Sequence, residues 1–404
     1  MHMKYIIVLG DGMAGEPLEV LGNKTTLEVA NKPTMKKLAQ HAEVGMVQMV
    51  PENMAPGSDT ANLSVMGYDP RVYYSGRSPI EALSIGVDMK ESDISFRCNF
   101  VTLSEEQDVE YTKRTMVDHS AGELTTQEAR ELLEVVKQAF QIQGYQFYTG
   151  TSYRHLLIWE NGQIVDLVPP HDILTKQVES YLPKENTLLT MMQQSYEILN
   201  NHPINKKRRE QGLNPANSIW FWGAGTRPAL RNFEEKTGKK GAMISAVDLL
   251  KGIAVGAGMH SIDVEGANGG LHTNYAGKAN AAIEVLLKNE CDFVYVHIEA
   301  PDEMGHQGLM NEKIQAIEYL DEKIITPIVT ALDEAKEPYR IMILPDHPTP
   351  IATRTHTSEA VPYLLYDSER GVEGVKDYNE VTASTTGIMW NDGYKLMDYL
   401  LEIE

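Results

Sequence analysis

Apolar runs and amphipathic segments alternate at both ends of the chain. The apolar runs are short and rich in β-branched residues, which is typical of buried strands. They comprise residues 4–9, 44–50, 292–299, 339–345 and 361–366. The amphipathic segments repeat apolar residues at helical spacing. They comprise residues 33–41, 245–257, 275–289 and 312–334. Strands that alternate with helices in this way predict an α/β domain with a mainly parallel sheet flanked by helices.

The middle of the chain has a less regular pattern. One clear amphipathic helix, 125–141, lies among segments that resemble strands. These segments are residues 94–103, 108–118, 155–160 and 163–168. We therefore predict two domains. Residues 1–75 and 236–404 form a discontinuous α/β domain, and residues 76–235 form an α+β cap domain inserted into it.

The chain is strongly acidic. It has 57 Asp and Glu against 36 Lys and Arg, which gives a formal net charge of −21. A surface this acidic repels phosphate polymers and anionic lipid headgroups, so it argues against binding to nucleic acid or to membranes. The longest apolar stretch, 243–259, is interrupted by Asp248 and Lys251 and is too short to span a bilayer. With two cysteines and no recognisable signal peptide, we expect a cytoplasmic protein.

The first predicted strand leads into the turn Gly10-Asp11-Gly12-Met13-Ala14-Gly15. The spacing matches the glycine pattern of dinucleotide-binding folds, which present bare backbone N–H groups to a pyrophosphate. Asp11 would repel that pyrophosphate. At the carboxyl end of a strand, its carboxylate is better suited to bind a hard metal ion.

A second polar segment, 56–62 with the sequence PGSDTAN, begins a predicted helix. One interpretation of Ser58 is a plain helix N-cap. The alternative is a nucleophile, because the positive potential at a helix N-terminus favours an alkoxide and a bound phosphate, and a metal ion would lower the pKa of the hydroxyl further.

Two more polar segments follow predicted strands. Asp302 and His306 are four residues apart, so one helical turn places both on one face. Asp346 and His347 end the strand 339–345, and His356 follows them. Each segment alone could be an exposed turn. Strand ends in an open α/β sheet converge on one crevice, however, and together these residues suffice for two divalent ions.

Taken together, these segments resemble the alkaline phosphatase superfamily. Within it they are most similar to the cofactor-independent phosphoglycerate mutases of the archaeal type. The similarity extends almost from end to end of the chain, including the segments 67–82 and 96–102. It implies an alkaline-phosphatase-like fold and interconversion of 3-phosphoglycerate and 2-phosphoglycerate. It also implies two divalent metal ions, with no bisphosphoglycerate and no nucleotide cofactor.

The resemblance also implies roles for individual residues. Ser58 would be transiently phosphorylated. One metal ion would be held by Asp302, His306 and His356, and the other by Asp11, Asp346, His347 and the Ser58 oxygen. Three imidazoles and three carboxylates favour Mn²⁺ or Zn²⁺ over Mg²⁺, and we expect Mn²⁺.

A mutase must also hold its small phosphorylated substrate away from water, and we expect the inserted domain to supply groups for this. The candidates combine cationic, hydrogen-bonding and proton-transferring side chains. They are Arg97, Asn99, Arg114, Asp118, Arg154, His155, His171 and Asp172, with Lys251 from the other domain. Two alternatives remain open: a related metal-dependent phosphoesterase or phosphomutase acting on another ester, and a binding protein without activity. The sequence leaves the oligomeric state open.

Overall fold

A computed structural model describes residues 2–288 and 290–403. The chain divides into two compact units. Unit 1 comprises Met1–Tyr74 and Ala229–Glu404, and unit 2 comprises Ser75–Pro228. The chain passes from one unit to the other after Tyr74 and after Pro228.

The strands and helices follow the alternation of the sequence. The strands are β1 (Lys4–Gly10), β2 (Ala42–Val47), β3 (Ile94–Leu103), β4 (Met116–Asp118), β5 (Tyr145–Tyr148), β6 (Arg154–Trp159), β7 (Ser218–Thr226), β8 (Gly241–Ile244), β9 (His260–Ile262), β10 (Phe293–Ile298), β11 (Tyr339–Leu344), β12 (Val361–Asp367) and β13 (Met389–Trp390). The helices are α1 (Thr26–Val29), α2 (Pro33–Ala39), α3 (Ser58–Val65), α4 (Pro70–Tyr73), α5 (Arg77–Ser84), α6 (Thr126–Ala139), α7 (Asn186–Leu199), α8 (Pro203–Glu210), α9 (Phe233–Thr237), α10 (Asp248–Gly256), α11 (Tyr275–Leu287), α12 (Ala300–Gln307), α13 (Met310–Leu320), α14 (Thr326–Ala335), α15 (Glu380–Thr385) and α16 (Lys395–Leu401).

Unit 1 is built on a sheet with the strand order β13-β2-β12-β11-β1-β10-β8-β9. β12 runs antiparallel to its neighbours β11 and β2, and the other pairs are parallel. β1, β10 and β11 are buried along their whole length, as expected for strands covered by helices on both faces. The prediction of an α/β fold with a mainly parallel sheet flanked by helices is therefore confirmed.

Unit 2 has an antiparallel sheet with the order β4-β3-β6-β5, and β7 pairs with the other edge of β3. β3 is buried at every position and occupies exactly the predicted range, 94–103. α5 packs against β3 and β7, and α7 packs against β7. Apolar side chains from these strands and from α6 and α7 form one core.

Two strand predictions in unit 2 are wrong. Most of 108–118 forms a loop with a 3₁₀ turn at Tyr111–Lys113. The Arg114 guanidinium donates hydrogen bonds to the carbonyls of Ser104 and Val109, so the backbone curves around this side chain and does not extend as a strand. Residues 163–168 form no strand. There the carbonyl of Val168 accepts a hydrogen bond from the Trp220 indole N–H and not from the backbone of a neighbouring strand.

The described residues contain no helix with the length and apolarity that a bilayer crossing requires.

Candidate metal centre and active site

The candidate metal ligands of unit 1 come from the carboxyl ends of three neighbouring strands. Asp11 directly follows β1, Asp302 lies in α12 just after β10, and Asp346 and His347 follow β11. β1 pairs with β10 on one side and with β11 on the other, in parallel. Because parallel neighbours end at the same edge of a sheet, side chains distant in sequence come together there.

The turn after β1 depends on a glycine. Gly12 has φ +58°, and its N–H donates to Asp346 Oδ1 at 3.1 Å. A Cβ at this position would lie 2.5 Å from Asp302 Oδ1 and would also collide with Thr349. The glycine therefore allows the turn after β1 to lie close to Asp302 and Thr349. We interpret its role in this way, and not as part of a binding loop for pyrophosphate.

Asp11, Asp346 and His347 form the first group whose ligand atoms could surround one ion. These atoms all lie within 4.8 Å of one another, and all three residues are buried. Asp11 Oδ1 accepts no hydrogen bond from any residue that the structure describes, although it is fully buried. His347 Nε2 lies 3.5 Å from this oxygen and 3.3 Å from Asp346 Oδ2. A buried carboxylate oxygen left without a donor, beside an imidazole and a second carboxylate, fits a cation.

Asp302, His347 and His356 form the second group, with the same spacing between ligand atoms. His306 belongs beside it, because its Nε2 lies 3.2 Å from Asp302 Oδ2 and 2.9 Å from His356 Nε2. The Nδ1 atoms of His306 and His356 face the backbone carbonyls of Arg354 and Pro56. This leaves both Nε2 atoms turned towards Asp302, the arrangement that outer carbonyls impose on histidine ligands of metals.

The pKa values of several of these groups are shifted by burial and by their neighbours. Burial, together with the negative charges of Asp346 and Asp302, raises the pKa of Asp11 well above its usual value. Burial would also raise the pKa of Asp302, but hydrogen bonds from His306 and His356 hold it well below its usual value. The hydrogen bond with Asp302 raises the pKa of His306 to about 9. Burial lowers the pKa of His347. Three carboxylates thus share one buried region and would gain from a cation.

Ser58 lies beside both groups. Its Oγ and His347 Nε2 are 3.2 Å apart, and the residue is half-buried. The interpretation of Ser58 as N-cap is wrong, since Gly57 is the N-cap of α3 and Ser58 is its first helical residue. The hydroxyl is therefore not occupied in capping and is directed towards the ligand groups.

Buried polar residues that the sequence analysis did not single out hold this site together. Lys313 donates to the carbonyls of Gly12, Ala14 and Thr349, and so ties the turn after β1 to the loop after β11. Asn62 donates to Asp346 Oδ2 at 2.8 Å. In the sequence, Lys313 stands out only as a lysine on the apolar face of a helix. Its partners are backbone carbonyls, which no sequence pattern identifies.

In unit 2, several of the predicted substrate residues lie together around the indole of Trp222. The guanidinium of Arg97 lies 4.3 Å from a Trp222 ring centroid, and the ring of His171 lies 5.4 Å from it. Asn99 Oδ1 accepts from Trp222 Nε1 at 3.2 Å, and Asp172 lies 3.6 Å from His171. Two residues outside the predicted set adjoin them.

His119 and Tyr153 are the two adjoining residues that lie outside the predicted set. Their rings contact each other, and the His119 ring also contacts that of His171. Arg154 lies over the Tyr153 ring, 5.4 Å from its centroid. The basic cluster of unit 2 is thus defined by Arg97, Asn99, His119, Tyr153, Arg154, His171, Asp172 and Trp222. Burial lowers the pKa of Arg97 to about 10, which leaves its positive charge intact at neutral pH.

Other predicted substrate residues have structural partners. Arg114 is buried under the Tyr196 ring, 4.1 Å from its centroid. The carboxylate of Asp118 accepts from the backbone of Ser120 and Gly122. His155 lies in the core, where burial lowers its pKa to about 3. Lys251, in unit 1, is paired with Asp263 at 2.6 Å.

The chain is similar to known proteins over nearly its whole length. Residues 39–205 match the family description "2,3-bisphosphoglycerate-independent phosphoglycerate mutase". A probable 2,3-bisphosphoglycerate-independent phosphoglycerate mutase of Geobacter sulfurreducens is 46% identical over 99% of this chain and 100% of its own length. The 2,3-bisphosphoglycerate-independent phosphoglycerate mutase of Methanothrix thermoacetophila is 44% identical over 99% of this chain and 100% of its own length.

Solved structures give the same result. A protein of Pyrococcus horikoshii matches with a TM-score of 0.81 and 28% identity, over 100% of this chain and 98% of that one. The cofactor-independent phosphoglycerate mutase of Thermoplasma acidophilum matches with a TM-score of 0.66 and 26% identity, over 99% of both chains. The resemblance found in the sequence is confirmed, and the chain belongs to the family of 2,3-bisphosphoglycerate-independent phosphoglycerate mutases.

Proposed function

We propose that this chain interconverts 3-phosphoglycerate and 2-phosphoglycerate without bisphosphoglycerate, through a phosphoserine at Ser58. One observation carries the mechanism: the Ser58 hydroxyl, free of a capping role, stands 3.2 Å from an imidazole shared by two groups of metal-ligating side chains. A hydroxyl at the start of a helix, beside groups that attract cations, has the surroundings of an activated nucleophile.

We further propose which residues hold two divalent ions. Asp302, His306 and His356 would hold one, and Asp11, Asp346, His347 and the Ser58 oxygen would hold the other. The mixed imidazole and carboxylate set fits Mn²⁺ or Zn²⁺, and Mn²⁺ is our first choice over Mg²⁺. When bound, the ions would lower the pKa of the Ser58 hydroxyl and spread the charge of the transferring phosphoryl group.

In the proposed mechanism the phosphoryl group is transferred twice, first to Ser58 and then back to the glycerate. Ser58 Oγ attacks phosphorus, so that an Oγ–P bond forms while the bond between phosphorus and the C3 oxygen of the substrate breaks, and the proton lost from the Ser58 hydroxyl is balanced by one taken up by the C3 oxygen. The glycerate that remains must turn so that its C2 hydroxyl faces phosphorus. Attack by the C2 oxygen then forms the new ester while the Oγ–P bond breaks, and the proton lost from the C2 hydroxyl is balanced by the one that restores the Ser58 hydroxyl. The reverse direction exchanges the two hydroxyls.

We assign the glycerate and its carboxylate to the basic cluster of unit 2. Arg97 is buried, its Nε lies 3.0 Å from Glu81 Oε2, and its guanidinium packs on Trp222. A fixed, planar guanidinium is suited to grip a carboxylate or phosphate with two parallel hydrogen bonds. His171 and Asp172 are exposed in this cluster and are our candidates for moving a proton between the two hydroxyls.

A coupled assay tests the proposal. Purified protein would be given Mn²⁺ and 3-phosphoglycerate without bisphosphoglycerate, and 2-phosphoglycerate and free phosphate would be followed in parallel. We expect isomerisation without release of phosphate, and ³²P label on Ser58 after acid quenching.

The S58A variant should lose both the isomerisation and the label. Isomerisation by S58A would overturn the covalent mechanism. Release of phosphate alone would favour a phosphoesterase that acts on another ester.

A further inference from the structure

A buried histidine next to the metal-ligand groups is not among the ligands. His297 lies in β10 within the apolar run FVYVHI and has no exposed surface. Its Nε2 lies 2.9 Å from Asp11 Oδ2. A buried imidazole without hydrogen bonds would be costly, so its partners define what it does.

The neighbours of His297 decide which ring nitrogen carries the proton. Ser245 Oγ accepts a hydrogen bond from the backbone N–H of Val247 at 3.0 Å. Its own hydrogen is therefore available for His297 Nδ1, which lies 3.1 Å away. With Nδ1 as acceptor, the neutral ring has its hydrogen on Nε2 and donates it to Asp11 Oδ2.

The backbone of His297 is held as well. The buried ammonium of Lys278 donates to the His297 carbonyl at 3.0 Å. The backbone of His297 is thus held by the strand pairing of β10 and by Lys278, and Ser245 holds its ring. A donor held in this way fixes the rotation of the carboxylate that it meets.

The two oxygens of Asp11 consequently differ. Oδ2 pairs with His297. Within the described part of the chain Oδ1 accepts no hydrogen bond, and it lies 3.5 Å from His347 Nε2, among the first group of ligands. A neutral donor does not compete with an ion for the carboxylate of Asp11, whereas a lysine or arginine here would.

We infer that His297 is a positioning residue, which turns Oδ1 of Asp11 towards the ion that Asp11, Asp346 and His347 would hold. The inference rests on the proposed function, since it presupposes that an ion binds there. It assigns to Ser245 the task of selecting the tautomer.

Three variants separate this role from a purely structural one. H297F keeps a ring of similar size but removes the donor. H297Q restores an N–H near the position of Nε2. S245A removes the hydroxyl that selects the tautomer. The matched control is Y339F, which removes a buried hydroxyl of the same sheet whose partner, Asp333, is not among the ligands.

The measurement is calorimetric titration of Mn²⁺ into the metal-free proteins, with thermal unfolding recorded in chelator. Outer partners of metal ligands contribute about 10- to 100-fold to affinity, so we expect H297F to weaken one of two Mn²⁺ sites by that factor. H297Q should recover most of the loss. S245A should fall between wild type and H297F, and Y339F should bind as wild type does.

The outcomes are distinguishable. If wild type binds two Mn²⁺ ions and H297F binds them equally well, the role of His297 is refuted while the proposed function stands. Loss of stability in chelator with unchanged Mn²⁺ affinity would likewise refute it. If wild type binds no Mn²⁺, the proposed metal centre fails, and the inference fails with it. Weak binding in H297F that H297Q does not restore would also count against it, because the donor would then not be the cause.

Discussion

Buried charge is treated in opposite ways in the two units. In unit 1, Asp11, Asp302 and Asp346 are buried together, and their close partners are imidazoles and N–H groups. In unit 2, the buried guanidinium of Arg208 meets Glu128 at 3.0 Å and several backbone carbonyls. The first arrangement has an excess of negative charge, and the second is neutralised within the fold.

The difference indicates where function resides. Groups with satisfied partners contribute to stability, whereas a buried excess of one sign costs stability and persists where a ligand of the other sign removes it. Lys313 supports this interpretation, because its buried ammonium donates to three carbonyls and to none of the three carboxylates. The carboxylates therefore remain available to cations from solution.

The largest effect should come from removing one of the three buried carboxylate charges of unit 1. D11N keeps the shape of the side chain but weakens binding of one ion. Because such an ion supplies several kcal/mol of charge stabilisation, kcat should fall about 10³-fold or more. The same variant should raise the melting temperature in chelator, because burial and neighbouring carboxylates oppose the charge of Asp11.

Kinetics and thermal unfolding in chelator check this pair of effects. A lower melting temperature in chelator would contradict the idea that the excess charge costs stability.

A second change tests the basic cluster of unit 2. R97M should raise KM for 3-phosphoglycerate about 10- to 100-fold, since a hydrogen bond to a charged group contributes about 1.5–3 kcal/mol. R97K should recover only part of this, because an ammonium cannot make the two parallel bonds of a guanidinium. Mn²⁺ affinity, measured by titration, should not change. An unaltered KM in R97M would remove Arg97 from the substrate site.

For the ion pair of Glu128 with the buried Arg208 in unit 2, we predict an effect on stability alone. R208M removes the cationic partner of Glu128, which keeps its hydrogen bonds from Thr125, and leaves the carbonyls of Ala121 and Asn214 without the guanidinium donor. Since the Glu128 side chain is 27% exposed, water can solvate it, and the loss should be about 2 kcal/mol of unfolding free energy. Urea denaturation measures it. Altered Mn²⁺ affinity in R208M would show that the two kinds of buried charge are not independent.

The smallest expected effect is the pH dependence of ion binding. The hydrogen bond with Asp302 raises the pKa of His306 to about 9, so the ion-free protein carries this proton at neutral pH. An ion must displace it. Mn²⁺ affinity should therefore rise with pH up to about 9, by at most about tenfold per pH unit, and level off above.

Titrations in two buffers of different ionisation enthalpy would count the released proton. In H306Q this part of the pH dependence should disappear, and affinity that falls between pH 7 and 9 would contradict the assignment.

The sequence was informative about the candidate site where chemistry and position coincide. Asp11, Asp346 and His347 follow apolar runs, so their place at one edge of a parallel sheet could be predicted. β3 is another case, since alternation along a strand places Arg97 and Asn99 on the same face, and both adjoin Trp222. Arg114 shows the limit, because its partners are carbonyls of an irregular loop that no periodicity describes.

His297 shows a second limit. A histidine within an apolar strand is compatible with many buried environments, and its partners come from β8's following loop and from the turn after β1, both distant in sequence. The identities of Ser245 and Asp11 as partners follow from strand order. Strand order follows from long-range packing, which a single sequence does not display.

The position of β1 between β10 and β11 has a consequence for how the chain folds. β1 precedes unit 2 in the chain, whereas its two neighbours, β10 and β11, follow unit 2. The strand that leads to Asp11 therefore lacks both of its sheet neighbours while unit 2, a continuous segment, is being synthesised. Pairing across such sequence separation is slow. Any fragment that ends before residue 339 lacks both β11 and the loop that follows it, so we expect the capacity to bind two ions to arise only after that loop has been synthesised.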